Sequence, residues 1–256
     1  MQAFLYRYIS FESFVGMVQN KALSFVLPEL WDDPKECAPF EQLLLSTDNL
    51  YERIFLASVY NKTYCQCWTR VSESDAMWRI YSYNNRAIQI KVSEEKLCLL
   101  PDVKLVPVVY SDQIELNETK EVDKFLRSLA IKRRAFQHED EIRLIKHYKF
   151  LDDDDIEKHV KAFLAVSEHP QMVELIENLF PGLSPKEQIN NIGELLNTGK
   201  NKKVTLEVSY ESIPDFIGGV LVHPLAPDWY VKIVEEYCKR NSLPFDGQST
   251  LYCRAR

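Results

Sequence analysis

The sequence predicts an α+β domain: one sheet of short strands, helices packed on it, and a helical insertion at about 152–200. Three observations lead there. Short alternating or aromatic-apolar runs recur up to Lys146 and again from Val204 onward, each bounded by turn residues. Helix-start signatures stand between them, such as Ser10 ahead of Phe11 and the Ser72-Glu73-Ser74-Asp75 stretch. After Phe150 the character changes to the acidic run Asp152–Asp155, which suits a solvated helix start, and then to polar helical periodicity. The strands on either side of that stretch are expected to share one sheet. With 256 residues, 46% of them hydrophobic, the chain can bury one substantial core, so residues 1–256 are read as a single domain.

Taken in order, Phe4–Ile9 is an aromatic and apolar strand. Ser10 caps a helix over Phe11–Asn20, with Phe14, Val15 and Val18 on one face. Ala22–Val26 is a second strand. The prolines and aspartates of Pro28–Glu36 make a loop. A long helix is expected from about Phe40 to Tyr60, then a strand at Thr63–Thr69, a helix through Met77 and Tyr81, and strands at Arg86–Val92 and Asp102–Ser111. Glu118–Phe136 reads as a helix ending in Lys132, Arg133 and Arg134. The strand that follows carries Glu139 and Glu141 at its start. Beyond the insertion, strands are expected at Val204–Tyr210 and Gly218–Val222, a helix from about Asp228, and a closing strand at Thr250–Arg254.

The net charge of −7 argues against polyanion binding driven by total charge, while leaving room for a local basic patch. The six cysteines do not fall at metal-ligand spacing. Cys65-Gln-Cys67 is one residue short of half a zinc knuckle, so buried reduced thiols and no metal are expected. The absence of a charged-then-apolar leader and of a run of about 18 apolar residues points to a cytoplasmic protein with no membrane partner.

One set of side chains carries chemistry. Arg7, on a strand between Tyr6 and Tyr8, needs an anionic partner if buried; a carboxylate or a phosphate would serve. Thr69, Ser72 and Ser74 place hydroxyls just before a helix N-terminus. Trp78, Tyr81 and Tyr83 offer rings for stacking on a planar heterocycle. Glu139 and Glu141, two apart, would face the same side of a strand and could hold sugar hydroxyls or stabilise a developing cation. Together these suit a dinucleotide with a ribose at its reacting end.

The order Leu5-Tyr6-Arg7-Tyr8, then Cys67-Trp68-Thr69-Arg70 with Ser72, then His138-Glu139-Asp140-Glu141 resembles the arginine, Ser-Thr-Ser and Glu-x-Glu series of ADP-ribosyltransferases. Trp68-Thr69-Arg70 stands where that family has Ser-Thr-Ser, and Tyr8 where it has glycine. The resemblance implies a split-sheet ADP-ribosyltransferase-like core and NAD as substrate, with no metal. Arg7, Tyr8, Thr69, Ser72, Trp78 and Tyr81 would bind NAD. Glu141 would hold the nicotinamide ribose 2′-hydroxyl, and Glu139 would position the acceptor. The acceptor would be a macromolecule, nucleic acid (RNA or DNA) or protein, and the setting an intracellular bacterial toxin of a toxin–antitoxin or anti-phage system, with an antitoxin or immunity protein as partner. The chain is also similar to a bacterial family of domain-of-unknown-function type, through Tyr6-Arg7-Tyr8, Asp32-Asp33-Pro34 with Glu36, Met77-Trp78 with Tyr81, and Glu139 with Glu141 and Arg143.

Other readings of the same residues stay open. Arg7 could pair with Asp32 or Asp33, and Arg143 with Glu141. Trp78 and Tyr81 could both be core. Asp33 could cap a turn. His138 could help bind substrate or be a bystander, and Ile131–Phe136 could form a basic, aromatic track for a nucleic acid backbone. At the level of function, an NAD glycohydrolase or an inactive nucleotide- or partner-binding module competes with the transferase.

Overall fold

A computed structural model describes residues 3–47, 56, 59–60, 63–116, 121–146 and 204–252. The expected insertion at 152–200 lies outside these residues. The domain is mixed, with one large and mostly antiparallel sheet and helices packed against it.

The chain opens with β1 (Phe4–Ser10) and turns at once into α1 (Phe11–Asn20). The Ser10 hydroxyl accepts from Ser13 N–H at 3.1 Å, satisfying one of the free amides of the first turn. Phe14 and Met17 are the buried residues of α1, with Val18 partly buried beside them. β2 (Ala22–Val26) runs back beside α1. Pro28–Glu36, expected as a loop, contains two short 3₁₀ turns, Pro28–Leu30 and Pro34–Cys37. Proline's fixed φ starts each of them.

The long helix expected over Phe40–Tyr60 is interrupted. α2 spans Ala38–Ser46, and Thr47 is extended. The hydroxyls of Ser46 and Thr47 both donate to Leu43 O, at 3.0 and 2.8 Å, and so occupy an acceptor that the next helical turn would need. β3 (Tyr64–Thr69) leads to α3 (Asp75–Tyr81), capped by Ser74. β4 (Ala87–Ser93) and α4 (Glu94–Cys98) follow.

The single strand expected at Asp102–Ser111 is two. β5 (Val103–Pro107) ends at a proline that has no amide to donate, and β6 (Val109–Tyr110) belongs to a separate two-stranded sheet. The helix expected to run to Phe136 stops early. α5 covers Glu121–Ser128, β7 is Ile131–Lys132, and Arg134–Glu139 is a 3₁₀ turn. Glu139 therefore does not lie on a strand. Asp140 takes a left-handed φ of 39° and starts a fresh direction for β8 (Glu141–Lys146). The reasoning from strand alternation for Glu139 and Glu141 fails here.

β9 (Thr205–Ser209), β10 (Gly219–Val222) and α6 (Asp228–Arg240) form as expected. The last strand is displaced: β11 is Phe245–Gln248, parallel to β10. The Gln248 side-chain amide donates to the carbonyls of His223, Pro224 and Ala226, which stitches the strand to the turn after β10. Leu251 and Tyr252 form a turn instead.

The strand order is β11-β10-β4-β1-β3-β2-β9, and β8 also pairs with β3 and carries β5 beyond it. Strands up to Lys146 and from Thr205 onward thus share one sheet. Its branch point positions the site. β3 pairs with β8 along its whole length, but meets β1 at one register pair, Tyr6–Thr69, and β2 at one, Val26–Cys65. β1 and β3 therefore splay apart beyond Tyr6. Gln66 helps to span the other branch: its side chain donates to Ser24 O at 2.8 Å and accepts from Trp68 Nε1 at 2.8 Å, so the buried polar atoms there are satisfied.

Three groups of buried side chains support this frame. The largest joins the sheet to α1 and α6, with Phe14, Ile88, Ile90, Val220 and Val234 at its centre. A second lies under α2 and α5 around Phe40, Phe125 and Ile145. A third, Tyr8 with Met77 and Trp78, seats α3 on β1. Ser10→Ala is expected to lower stability by about 1 kcal/mol and Phe14→Ala by roughly 3–5 kcal/mol, both read as urea midpoint shifts at constant slope.

Candidate functional site

The splayed junction between β1 and β3 is a cavity of about 640 Å³. Arg7 and Tyr8 come from β1, Cys67 and Thr69 from β3, Tyr81 from α3, and Glu139 and Glu141 from either side of the Asp140 kink. Register brings the key positions together. Thr69 pairs with Tyr6 on one side and with Glu141 on the other, so three neighbouring strands contribute to one end of the cavity. The Thr69 hydroxyl donates to Glu139 O and accepts from Val71 N–H. Thr69 is thus tied to the backbone of the Glu139 turn.

Of the residues singled out in the sequence, Arg7, Tyr8, Thr69, Tyr81, Glu139 and Glu141 meet at this cavity. Ser72 and Trp78 do not line it. Ser72 is exposed, and its carbonyl accepts from the Gln89 side chain. Trp78 is fully buried, packs edge-on to Tyr8 with ring centres 4.7 Å apart, and donates to Glu73 at 3.1 Å. One turn of helix separates a core ring, Trp78, from a cavity ring, Tyr81.

Glu141 and Glu139 belong to a buried ionic cluster. Lys132 Nζ lies 2.6 Å from Glu139 Oε2, 3.1 Å from Glu141 Oε2 and 3.2 Å from Glu36 Oε1. Arg143 has no exposed surface. Its Nε donates to Glu141 Oε1 at 2.8 Å, Nη1 to Leu129 O at 2.7 Å, and Nη2 to Glu36. Trp31 covers its guanidinium, the ring centre 3.9 Å from Cζ. The pairing of Arg143 with Glu141 is therefore real, but as part of a larger network. Three carboxylates face two cations, which leaves one negative charge in excess.

The two glutamates are pushed in opposite directions. Burial would raise both. At Glu141 the adjacent Arg143 and Lys132 charges outweigh it and hold the carboxyl down at about 2. At Glu139 burial wins over Lys132, and the carboxyl is raised. Glu141 is an anion at any physiological pH. Glu139 takes up a proton before Glu141 does. Burial pulls Arg7 down to about 10, still cationic at neutral pH. No carboxylate among the described residues lies within salt-bridge distance of its guanidinium. Asp33, the alternative partner, instead holds Arg133 at 2.8 Å, and its side chain caps the 3₁₀ turn through Lys35 N–H.

One reading of the basic stretch is corrected. Lys132 is buried among carboxylates, and Arg133 is paired with Asp33 and lies over Phe136. Ile131–Phe136 is consequently no open basic track. His138 is exposed and does not line the cavity. Among the described residues no group of three or more His, Cys, Asp or Glu side chains is placed to hold a metal ion, and no helix is long and apolar enough to cross a membrane.

Nothing in the local pattern marks Lys132 as the hub, because a lysine followed by two arginines reads as surface. Glu36 was singled out only as a mark of the family resemblance and Trp31 not at all, since nothing local links the loop before α2 to β8. The chemistry available is that of an anion-seeking arginine facing a locked carboxylate and a protonatable one.

No family model, curated protein or solved structure matches the chain.

Removing Arg143 leaves Glu36 and Glu141 buried with too little positive charge; Arg143→Leu is expected to cost roughly 3–5 kcal/mol in chemical denaturation. The depressed Glu141 carboxyl contributes stability that is complete above its unfolded value of 4.5 and disappears as pH falls towards about 2. Glu139, raised, acts with the opposite sign. Urea midpoints measured between pH 5 and about 2 should therefore fall steeply in the native protein and less steeply in Glu141→Gln.

Proposed function

We propose that this chain is an NAD-dependent mono-ADP-ribosyltransferase with an ADP-ribosyltransferase-like split sheet, acting inside a bacterial cell as a toxin of a toxin–antitoxin or anti-phage system. The observation that carries this reading is the register across β1, β3 and β8. It gathers Arg7, Thr69 and Glu141 at one cavity, with Glu139 beside them. That is the arginine, hydroxyl, Glu-x-Glu order of the family resemblance, now met in space.

In this reading Arg7, which has no carboxylate partner among the described residues, binds a phosphate or ribose oxygen of NAD, with Tyr8, Thr69 and Tyr81 around it. The bond from the ribose C1′ to the nicotinamide nitrogen breaks. Its electron pair returns to the pyridinium ring, and neutral nicotinamide leaves. Glu141, anionic above about pH 2, suits the positive charge that develops at C1′. Glu139, with its raised carboxyl, suits the role of base that takes the proton of the acceptor nucleophile as it bonds to C1′. The catalytic demand is position and charge, with no metal.

One observation favours a second reading. Both oxygens of Glu141 are already engaged, by Arg143 and by Lys132. A carboxylate locked in this way also fits a nucleotide-binding module that does not catalyse.

Incubation of the protein with radiolabelled NAD and a cell extract, split into protein, RNA and DNA fractions, separates these readings. Label should enter one fraction and fall on the order of 10²–10³-fold in Glu141→Gln, with the variant's fold checked by circular dichroism. Arg7→Ala should raise KM for NAD more than it lowers kcat. Nicotinamide release without label would assign an NAD glycohydrolase. Neither product, with NAD still bound, would leave the binding module.

A further inference from the structure

A second cavity, of about 510 Å³, opens beside the first, and the reaction proposed above makes no use of it. Five aromatic residues line it: Phe11, Tyr81, Tyr83, Trp229 and Tyr230. Tyr230 is buried, but Tyr83 is 87% exposed, Trp229 51% and Tyr81 44%. Rings of this size left bare around one concave surface mark a binding surface more often than chance. The rim is also built. The Tyr230 hydroxyl donates to Arg86 O, and the Ser82 hydroxyl accepts from Ala87 N–H at 3.2 Å, so the Tyr83–Arg86 segment is pinned. Arg86 lies 5.0 Å from the centre of the Trp229 ring.

The polar lining narrows the ligand. Glu12 offers acceptors, Arg86 donors, and Asn84 both. Flat rings for stacking, with mixed donors and acceptors at the edge, complement a planar heterocycle that has a hydrogen-bonding edge. An aliphatic ligand would leave those polar groups without use. The size is ample for such a group with its sugar. Tyr81 lines both cavities, so a ligand in the second lies one ring away from the first.

We propose that the second cavity binds a nucleobase, that of the acceptor, next to the carboxylates of the first; the assignment of acceptor rests on the transferase reading above. Arg86 is the one cation lining this cavity among the described residues, and the chain carries −7 overall. Stacking, not phosphate contact, therefore carries the affinity, and its salt dependence is shallow. The base can come from a free nucleoside or nucleotide, or from an unpaired position of a single strand.

The test uses the full chain as Glu141→Gln, so that no transfer consumes the ligands. Short fluorescein-labelled single strands of DNA and RNA, and matching duplexes, are followed by anisotropy, and free nucleosides by equilibrium dialysis. Saturable binding is expected, absent for duplexes, and weakened about tenfold by Trp229→Ala and by Tyr83→Ala. Both substitutions are at exposed positions, and either suffices if the other fails to fold. Binding of strands but not nucleosides assigns an unpaired base of a strand; binding of nucleosides assigns a free nucleotide. No binding of either, or binding that neither substitution weakens, overturns the proposal. So does a rise in KM for NAD when each substitution is made in the native chain, which would make the cavity the adenine end of the dinucleotide. Nicotinamide release by the native protein is read in parallel. If it is absent while base binding holds, the failure belongs to the transferase reading and not to this cavity.

Discussion

Everything near the first cavity depends on burying Glu36, Glu139 and Glu141 around Lys132 and Arg143. Isolated ions of this kind are expensive to take out of water, and their attraction repays the cost only when geometry and hydrogen bonding are complete. Here they are nearly so: Arg143 has four partners counting the Trp31 ring, and Lys132 has three carboxylates. The cluster joins the 3₁₀ turn before α2, the strand β7, the 3₁₀ turn ending at Glu139, and β8. β8 is also held by its pairing with β3 and by the buried Ile142, Leu144 and Ile145, and the ionic contacts tie the two turns and β7 to it. The excess negative charge gives the cavity its polarity.

That polarity meets a cation from the other side. Arg7 faces the opening left where β1 and β3 part, and among the described residues no carboxylate lies within salt-bridge distance of it. A ligand that is anionic at one end and turns cationic at the other is matched by such a dipolar cavity, with Arg7 at one wall and Glu141 at the other. Thr69 stands at the register point where both walls meet.

Much of the frame was legible in the chain. Elements with a local cause came through: Ser10 as a cap, the alternation of β4, the i, i+4, i+8 stripe of Tyr230, Val234 and Cys238 on α6. Elements whose limits depend on side-chain hydrogen bonds or on partners far away did not. Thr47 ends α2 by bonding back to Leu43, Pro107 passes the chain from one sheet to another, and β11 is held by Gln248 against carbonyls of the β10 turn. At the site, the identity of the acidic pair was readable but its geometry was not. Glu139 and Glu141 converge because Asp140 adopts a left-handed backbone and Lys132 draws both, not because a strand presents them. Trp78 and Tyr81 show the same limit: spacing alone cannot say which of two helical rings looks inward.

The branch in the sheet has a consequence for how the protein comes into being. The cavity walls are drawn from β1 and from β8, with Arg7 and Glu141 134 residues apart in the sequence. No shorter length of chain contains both. The contacts that close the site are long-range ones, which form late because the loop between them must first be ordered. A nascent chain emerging from the ribosome therefore carries Arg7 without Glu139 and Glu141 until β8 has been made, and the chemistry of the cavity is withheld until the sheet is assembled.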